Sequence, residues 1–164
     1  MRKLIAILIA TVMACTFVPL VGAHQDTIVV TLTPSGTVNI DVTPGTWNGA
    51  GATIGSTGTS GATDFNLSNI GTVPVDVTIE AIDTTAWELD IATPAHDQFT
   101  LAFNVSVAGT WTHFDETPVA FIGDLPVSAE AQNWALFALE VEMPTSTSTN
   151  AAQETTITFT GTAA

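Results

Sequence analysis

Three histidines each sit beside an acid, in His24-Gln25-Asp26, His96-Asp97-Gln98 and His113-Phe114-Asp115-Glu116. An imidazole next to a carboxylate is raw material for acid–base catalysis or for a zinc site. Neither chemistry is completed here. No HExxH pair exists, and with strands expected on both sides no helix sets two imidazoles on one face. Each histidine therefore reads as a surface group beside a loop acid. Gly58-Thr59-Ser60-Gly61 lacks the glycine spacing of a nucleophile elbow and lies in a long loop, not between strand and helix. Asp115 and Glu116 offer the two carboxylates a glycosidase needs, yet neighbours on an extended chain point to opposite faces. The chain reads as non-enzymatic.

Oxygen chemistry offers more. Glu88 and Asp90 share one face of a short strand, Asp83 precedes them and Asp97 follows on the next loop, so calcium could be gathered at one end of the fold. No DxDxDG loop is present, and scattered solvated acids are the rival explanation. Asn66-Leu67-Ser68 and Asn104-Val105-Ser106 match the acceptor pattern for N-glycosylation, with Asn66 and Asn104 on the strand faces opposite Phe65 and Phe103.

The charge pattern narrows the class further. Arg2 and Lys3 are the only two cationic side chains against sixteen Asp and Glu, for a net charge of −14. Both precede an apolar run, Leu4 to Val18, which Pro19 breaks before the small residues of Val21-Gly22-Ala23. That is the layout of a secretory signal, so residues 1–23 are expected to be removed and 24–164 to be secreted, extracellular or at the cell surface. Two alternatives compete. One is a lipobox at Val12-Met13-Ala14-Cys15, disfavoured because the apolar Thr16 to Ala23 would replace the usual polar tether. The other is a membrane span, disfavoured by Pro19 and the cleavage site, so no stable membrane insertion is expected after cleavage. Without Lys or Arg, residues 24–164 cannot neutralise phosphates, which excludes nucleic acid as a partner. Cys15 is the single cysteine, so no disulfide is expected in an otherwise oxidising setting. Packing, strand pairing, bound ions or assembly must stabilise the domain.

The elements that position these residues are strands. Val75, Val77 and Ile79 alternate with Asp76, Thr78 and Glu80, Phe99, Leu101 and Phe103 repeat the pattern, and Phe137, Leu139 and Val141 oppose Ala138, Glu140 and Glu142. Further strands are expected at 36–42, 62–69, 87–91, near Trp111, at 119–122 and around Ile157 and Phe159. About nine or ten short strands between Gly, Pro and Asn turns make one all-β sandwich of jelly-roll or immunoglobulin-like type. Val127 to Trp134 hints at a helical turn. Two segments interrupt the pattern: the Gly-rich 43–61, read as either a mobile hairpin tip or a contact loop, and the Thr/Ser-rich 145–153, read as a solvated connection.

Thr27 to Thr33 is a β-branched run with no charge and no internal Pro. Such a strand is an aggregation hazard unless paired, either within its own sandwich or in a neighbour's open sheet. Together with Thr43-Pro44-Gly45 and with Phe65-Asn66-Leu67-Ser68-Asn69-Ile70-Gly71-Thr72 leading into Val75-Asp76-Val77-Thr78-Ile79, residues 24–82 resemble the TasA/camelysin group and the related archaeal bundling-pilus subunits. The resemblance implies an extracellular biofilm fibre, in which the N-terminal strand of one subunit enters the groove of the next. Ile28, Val29, Val30 and Leu32 would then be the donated side chains, and other copies of the chain the main partner. The metalloprotease label attached to camelysin finds no residues here to support it, and the long Gly-rich insert departs from the family pattern. The alternative function is a monomeric adhesin or carbohydrate-binding sandwich, with Trp47, Trp87, Trp111 or Trp134 stacking on surface glycans.

Because trypsin cuts after Lys or Arg, residues 24–164 should yield no tryptic fragments even when unfolded. Mass spectrometry of a digest checks this.

Overall fold

The computed structural model describes residues 35–105, 109–130 and 132–164. Residues 1–23 and the candidate strand 27–33, with Ile28, Val29, Val30 and Leu32, lie outside the described residues. The described residues fold as a β-sandwich of ten strands: β1 (Ile40–Thr43), β2 (Thr57–Thr59), β3 (Phe65–Asn69), β4 (Val75–Ala81), β5 (Glu88–Asp90), β6 (Gln98–Asn104), β7 (Thr112–His113), β8 (Val119–Leu125), β9 (Trp134–Glu142) and β10 (Ile157–Ala163). One sheet runs β1-β3-β9-β6-β5, with β2 added to β9 and β7 to β6, and the other runs β10-β4-β8. Among these ten strands, β5 and β6 alone pair in parallel.

Alternation sets the inner faces. Phe65 and Leu67 of β3, Phe99, Leu101 and Phe103 of β6, and Phe137, Leu139 and Val141 of β9 are buried against Val75, Val77, Ile79 and Ala81 of β4. Aromatic rings join the sheets: Phe137 lies 5.2 Å from Phe65, 5.2 Å from Phe121 on β8 and 5.6 Å from Phe159 on β10. Such edge and offset contacts hold the rings in a defined arrangement.

Two segments differ from the sequence reading. The Gly-rich stretch 43–61 is built into the fold: a 3-10 turn at Gly49–Gly51 precedes β2, which pairs with β9 from Thr57↔Glu142 to Thr59↔Glu140. Gly58 passes so close to the turn that a Cβ there would lie 2.1 Å from the Gly49 carbonyl oxygen. The glycines permit this crossing, which no local pattern announces. Between Val127 and Trp134 the helical hint reduces to one turn, with Glu130 N donating to Val127 O at 3.0 Å, and Trp134 already opens β9.

Asn69 joins the sheets by polar contact. Its side chain is fully buried at the end of β3. There Nδ2 donates to the carbonyls of Val73 (2.9 Å), Leu125 (3.0 Å) and Pro126 (2.9 Å), while Oδ1 accepts from Gly71 N at 2.9 Å. The β3–β4 turn is thereby tied to the end of β8 in the opposite sheet. Gly71 is required beside it, since a Cβ would meet Thr37 O at 2.3 Å. Replacing Asn69 by Leu leaves several buried carbonyls and one N–H without partners, each worth about 1–3 kcal/mol. Asn69→Leu should therefore lower unfolding free energy by roughly 3 kcal/mol or more, measured by chemical denaturation.

Candidate functional site

A long strand at the edge of a sheet offers unpaired N–H and C=O groups to any passing chain, and proteins blunt such edges with charge, proline, bulges or brevity. Most edges of this sandwich are blunted. β1 has four residues and is followed by Pro44, and β5 has three residues and carries Glu88 and Asp90. β8 pairs with β4 through register shifts and carries Asp124 at φ 51°. β10 is different. It spans seven residues, Ile157-Thr158-Phe159-Thr160-Gly161-Thr162-Ala163, with no charge and no proline, and its pairing with β4 is unbroken. No described strand pairs with its other edge.

Beside β10 the sheets separate into an open cleft of about 1240 Å³. Its floor is the inner face of the larger sheet, including Phe65, Phe137, Leu139 and Val141, and Ile157 and Phe159 stand at its side. These last two remain half-buried although they face inward. Trp47 closes part of the rim, edge-on to Phe65 at 6.3 Å. At the far end the sheets meet again, where Gly161 lies so close to Val38 and Ile40 that a Cβ would sit 3.3 Å and 3.4 Å from their methyl groups. The cleft is thus narrowed at Gly161 and runs between residues 44–54 and 147–156, most of which line it.

Residues 145–156 form a strap along the mouth. Thr145 N donates to Ala95 O (3.1 Å), Asp97 N to Ser146 O (3.0 Å), and Ser148 N to Asp97 Oδ1 (2.7 Å). Trp87 Nε1 donates to Thr147 Oγ1 (2.8 Å), Ala86 N to Gln153 Oε1 (3.0 Å), and the Thr155 hydroxyl to Ile82 O. The solvated connection expected from composition is therefore pinned along its length. Asp97 holds φ 53°, a left-handed conformation that aspartate tolerates better than most residues.

The sequence candidates fare unevenly. Asp83, Glu88, Asp90 and Asp97 lie around the β4–β6 region, but each serves a local bond: Asp83 Oδ1 accepts from Leu89 N (2.6 Å), Glu88 Oε2 from Gln98 Nε2 (3.4 Å), Asp90 Oδ1 from Ala92 N (2.8 Å) and Asp97 Oδ1 from Ser148 N. Among the described residues no three His, Cys, Asp or Glu gather as a metal site. His96 Nδ1 lies 3.0 Å from Asp97 Oδ2, and His113 Nδ1 lies 2.6 Å from Ile91 O. Ser60 Oγ accepts from Leu139 N at 2.9 Å, which ties this serine to strand β9. Asn104 Nδ2 donates to Gly109 O at 2.7 Å, and Asn66 Oδ1 is buried without a hydrogen-bond partner. Of the tryptophans, Trp87 is buried, Trp47 and Trp111 are half-buried, and Trp134 is 45 % exposed. Sequence reasoning missed the bare edge of β10 because edge status depends on which distant strands pair. It missed the strap because its anchors come from residues about fifty positions away. No helix among the described residues is long and apolar enough to cross a membrane.

The Ser148 backbone N–H holds the Asp97 carboxyl below its ordinary 3.8, with hydroxyl bonds and nearby His96 adding to the effect. A carboxylate whose pKa is lowered by folding stabilises above the unfolded value and loses that contribution as pH falls through the folded one. The strap should stay pinned from neutral pH down into the carboxylate range and loosen only below it. Amide exchange at Ser148 measures this, and Asp97→Ala should accelerate exchange already at neutral pH. Comparison of the chain with protein-family models, with curated proteins and with solved structures returns no match.

Proposed function

We propose that this chain is a non-catalytic structural subunit of an extracellular filament or surface coat, which assembles by inserting residues 27–33 beside β10 of a neighbouring copy. The supporting observation is the coincidence of a bare seven-residue edge with an apolar cleft alongside it. Backbone groups of β10 supply the hydrogen bonds of an added strand, and the cleft supplies pockets for its alternate side chains. Thr27 to Thr33 suits that place: Ile28, Val30 and Leu32 share one face, while Val29 lies on the other with the threonines. Seven extended residues span about 23 Å, comparable with the run from Thr155 to Ala163. The resemblance of residues 24–82 to TasA-like fibre subunits and the signal-like N-terminus support the same reading.

Its geometry also refines the donated set. Only one face of an added strand can look into the cleft, so Val29 belongs outside and Ile28, Val30 and Leu32 inside. Deletion of residues 24–33 should leave a folded body that forms no filaments by electron microscopy. Val30→Asp should abolish growth similarly, since a buried unpaired charge costs several kcal/mol, whereas Val29→Asp should slow it far less. Normal fibres from the deleted protein would refute strand donation, and monodisperse particles of the full chain that bind glycans would favour the adhesin reading.

A further inference from the structure

Strand donation leaves open which way the donated strand runs, and the direction decides what the subunits build. Resting on that reading, we infer that a neighbour's residues 27–33 lie antiparallel to β10, with Thr33 at the open mouth, so that the Ser35 end of each subunit docks on the mouth of the next.

The first ground is the shape of the subunit. Ser35 begins the described body at the narrowed end of the cleft: Thr37 N donates to Thr72 Oγ1 at 2.9 Å, Thr72 N to Thr37 O at 2.9 Å, and Ala164 N to Pro74 O at 3.1 Å. The mouth lies at the opposite end, between residues 44–54 and the strap. Only Pro34 separates Thr33 from Ser35, so wherever Thr33 finishes, the donor's body follows within about 7 Å. A strand parallel to β10 would finish at the narrowed end, against the contact of Gly161 with Val38 and Ile40. A free chain end can turn into solvent there, whereas a folded body would have to be accommodated beside that contact. An antiparallel strand finishes at the mouth, where the chain can leave. It also continues the antiparallel pairing of β10-β4-β8, the more stable arrangement per residue.

Charge, the second consideration, does not choose between the two directions: β10 itself carries no Asp or Glu, while acids lie at both ends of the body, Asp76 and Asp124 beside Thr162 and Asp97 and Glu154 at the strap. Their repulsion opposes either contact and is screened by salt.

Symmetry supplies the consequence. Antiparallel insertion joins two different surfaces, narrowed end to mouth, a heterologous contact that repeats without closing and gives a polar filament. Parallel insertion would set narrowed end against narrowed end, a relation two subunits can satisfy reciprocally by exchanging strands and stopping at a dimer.

Disulfide trapping tests the direction, because Cα atoms more than about 7 Å apart cannot be bridged without backbone movement. Thr158 is solvent-facing on β10, and in an added strand with Ile28, Val30 and Leu32 inward, Thr27 and Thr33 would fall on the outward face. The double variants Thr33→Cys/Thr158→Cys and Thr27→Cys/Thr158→Cys are assembled, oxidised and run on non-reducing gels. The expected result is a ladder of covalent oligomers from the first pair and none from the second. Intermolecular bands from the second pair alone would overturn the direction while leaving strand donation intact. A fast-migrating, internally bridged monomer from either pair would overturn both, because the strand would then pair at home. Filaments that cross-link with neither pair would show that the strand lies away from β10.

Discussion

The buried amide of Asn69 is the constraint around which the sandwich is arranged. Its two Nδ2 hydrogens are shared among three carbonyls, two of them at the end of β8 in the opposite sheet, and its Oδ1 holds Gly71. A domain without cationic side chains cannot join its sheets by pairing a carboxylate with Lys or Arg. A neutral amide has no such need, because it offers donors and an acceptor without a net charge to desolvate. With the sheets tied at this end, Ile40 of β1 and Val38 just before it reach Gly161, and the cleft lies beyond that contact.

A sheet edge and an apolar cleft are thereby left side by side. Phe159 and Ile157 face inward yet remain half-buried, because no described strand extends the smaller sheet past β10. A sandwich built this way has two unmet demands at one place: backbone groups along β10 that need partners, and apolar side chains that need cover. One extended apolar segment would meet both.

Much of the fold was legible in the chain. The alternation in β4, β6 and β9 identified the strands and which side chains they bury, and Asn69-Ile70-Gly71-Thr72 stood out as a turn before a strand. The chemical role of that turn was not legible, because two of the carbonyls that the Asn69 side chain binds, those of Leu125 and Pro126, lie on a distant segment. Asp97 illustrates the same limit. Beside Asp83, Glu88 and Asp90 it read as a calcium oxygen, whereas in the fold its carboxylate accepts from Ser148 and anchors the strap. Residue type set what Asp97 could do, and a backbone N–H fifty-one residues away set what it does.

Composition and periodicity by themselves determined that this chain is an acidic all-β protein with a polar and an apolar face on each long strand. Those properties follow from side-chain chemistry and a repeat of two residues, which are local. The order of the strands, the place of β2 in the Gly-rich stretch and the edge left bare were decided only by the tertiary structure. Pairing joins residues far apart in sequence, and every strand with the right alternation is an equally good partner until packing against the opposite sheet selects among them.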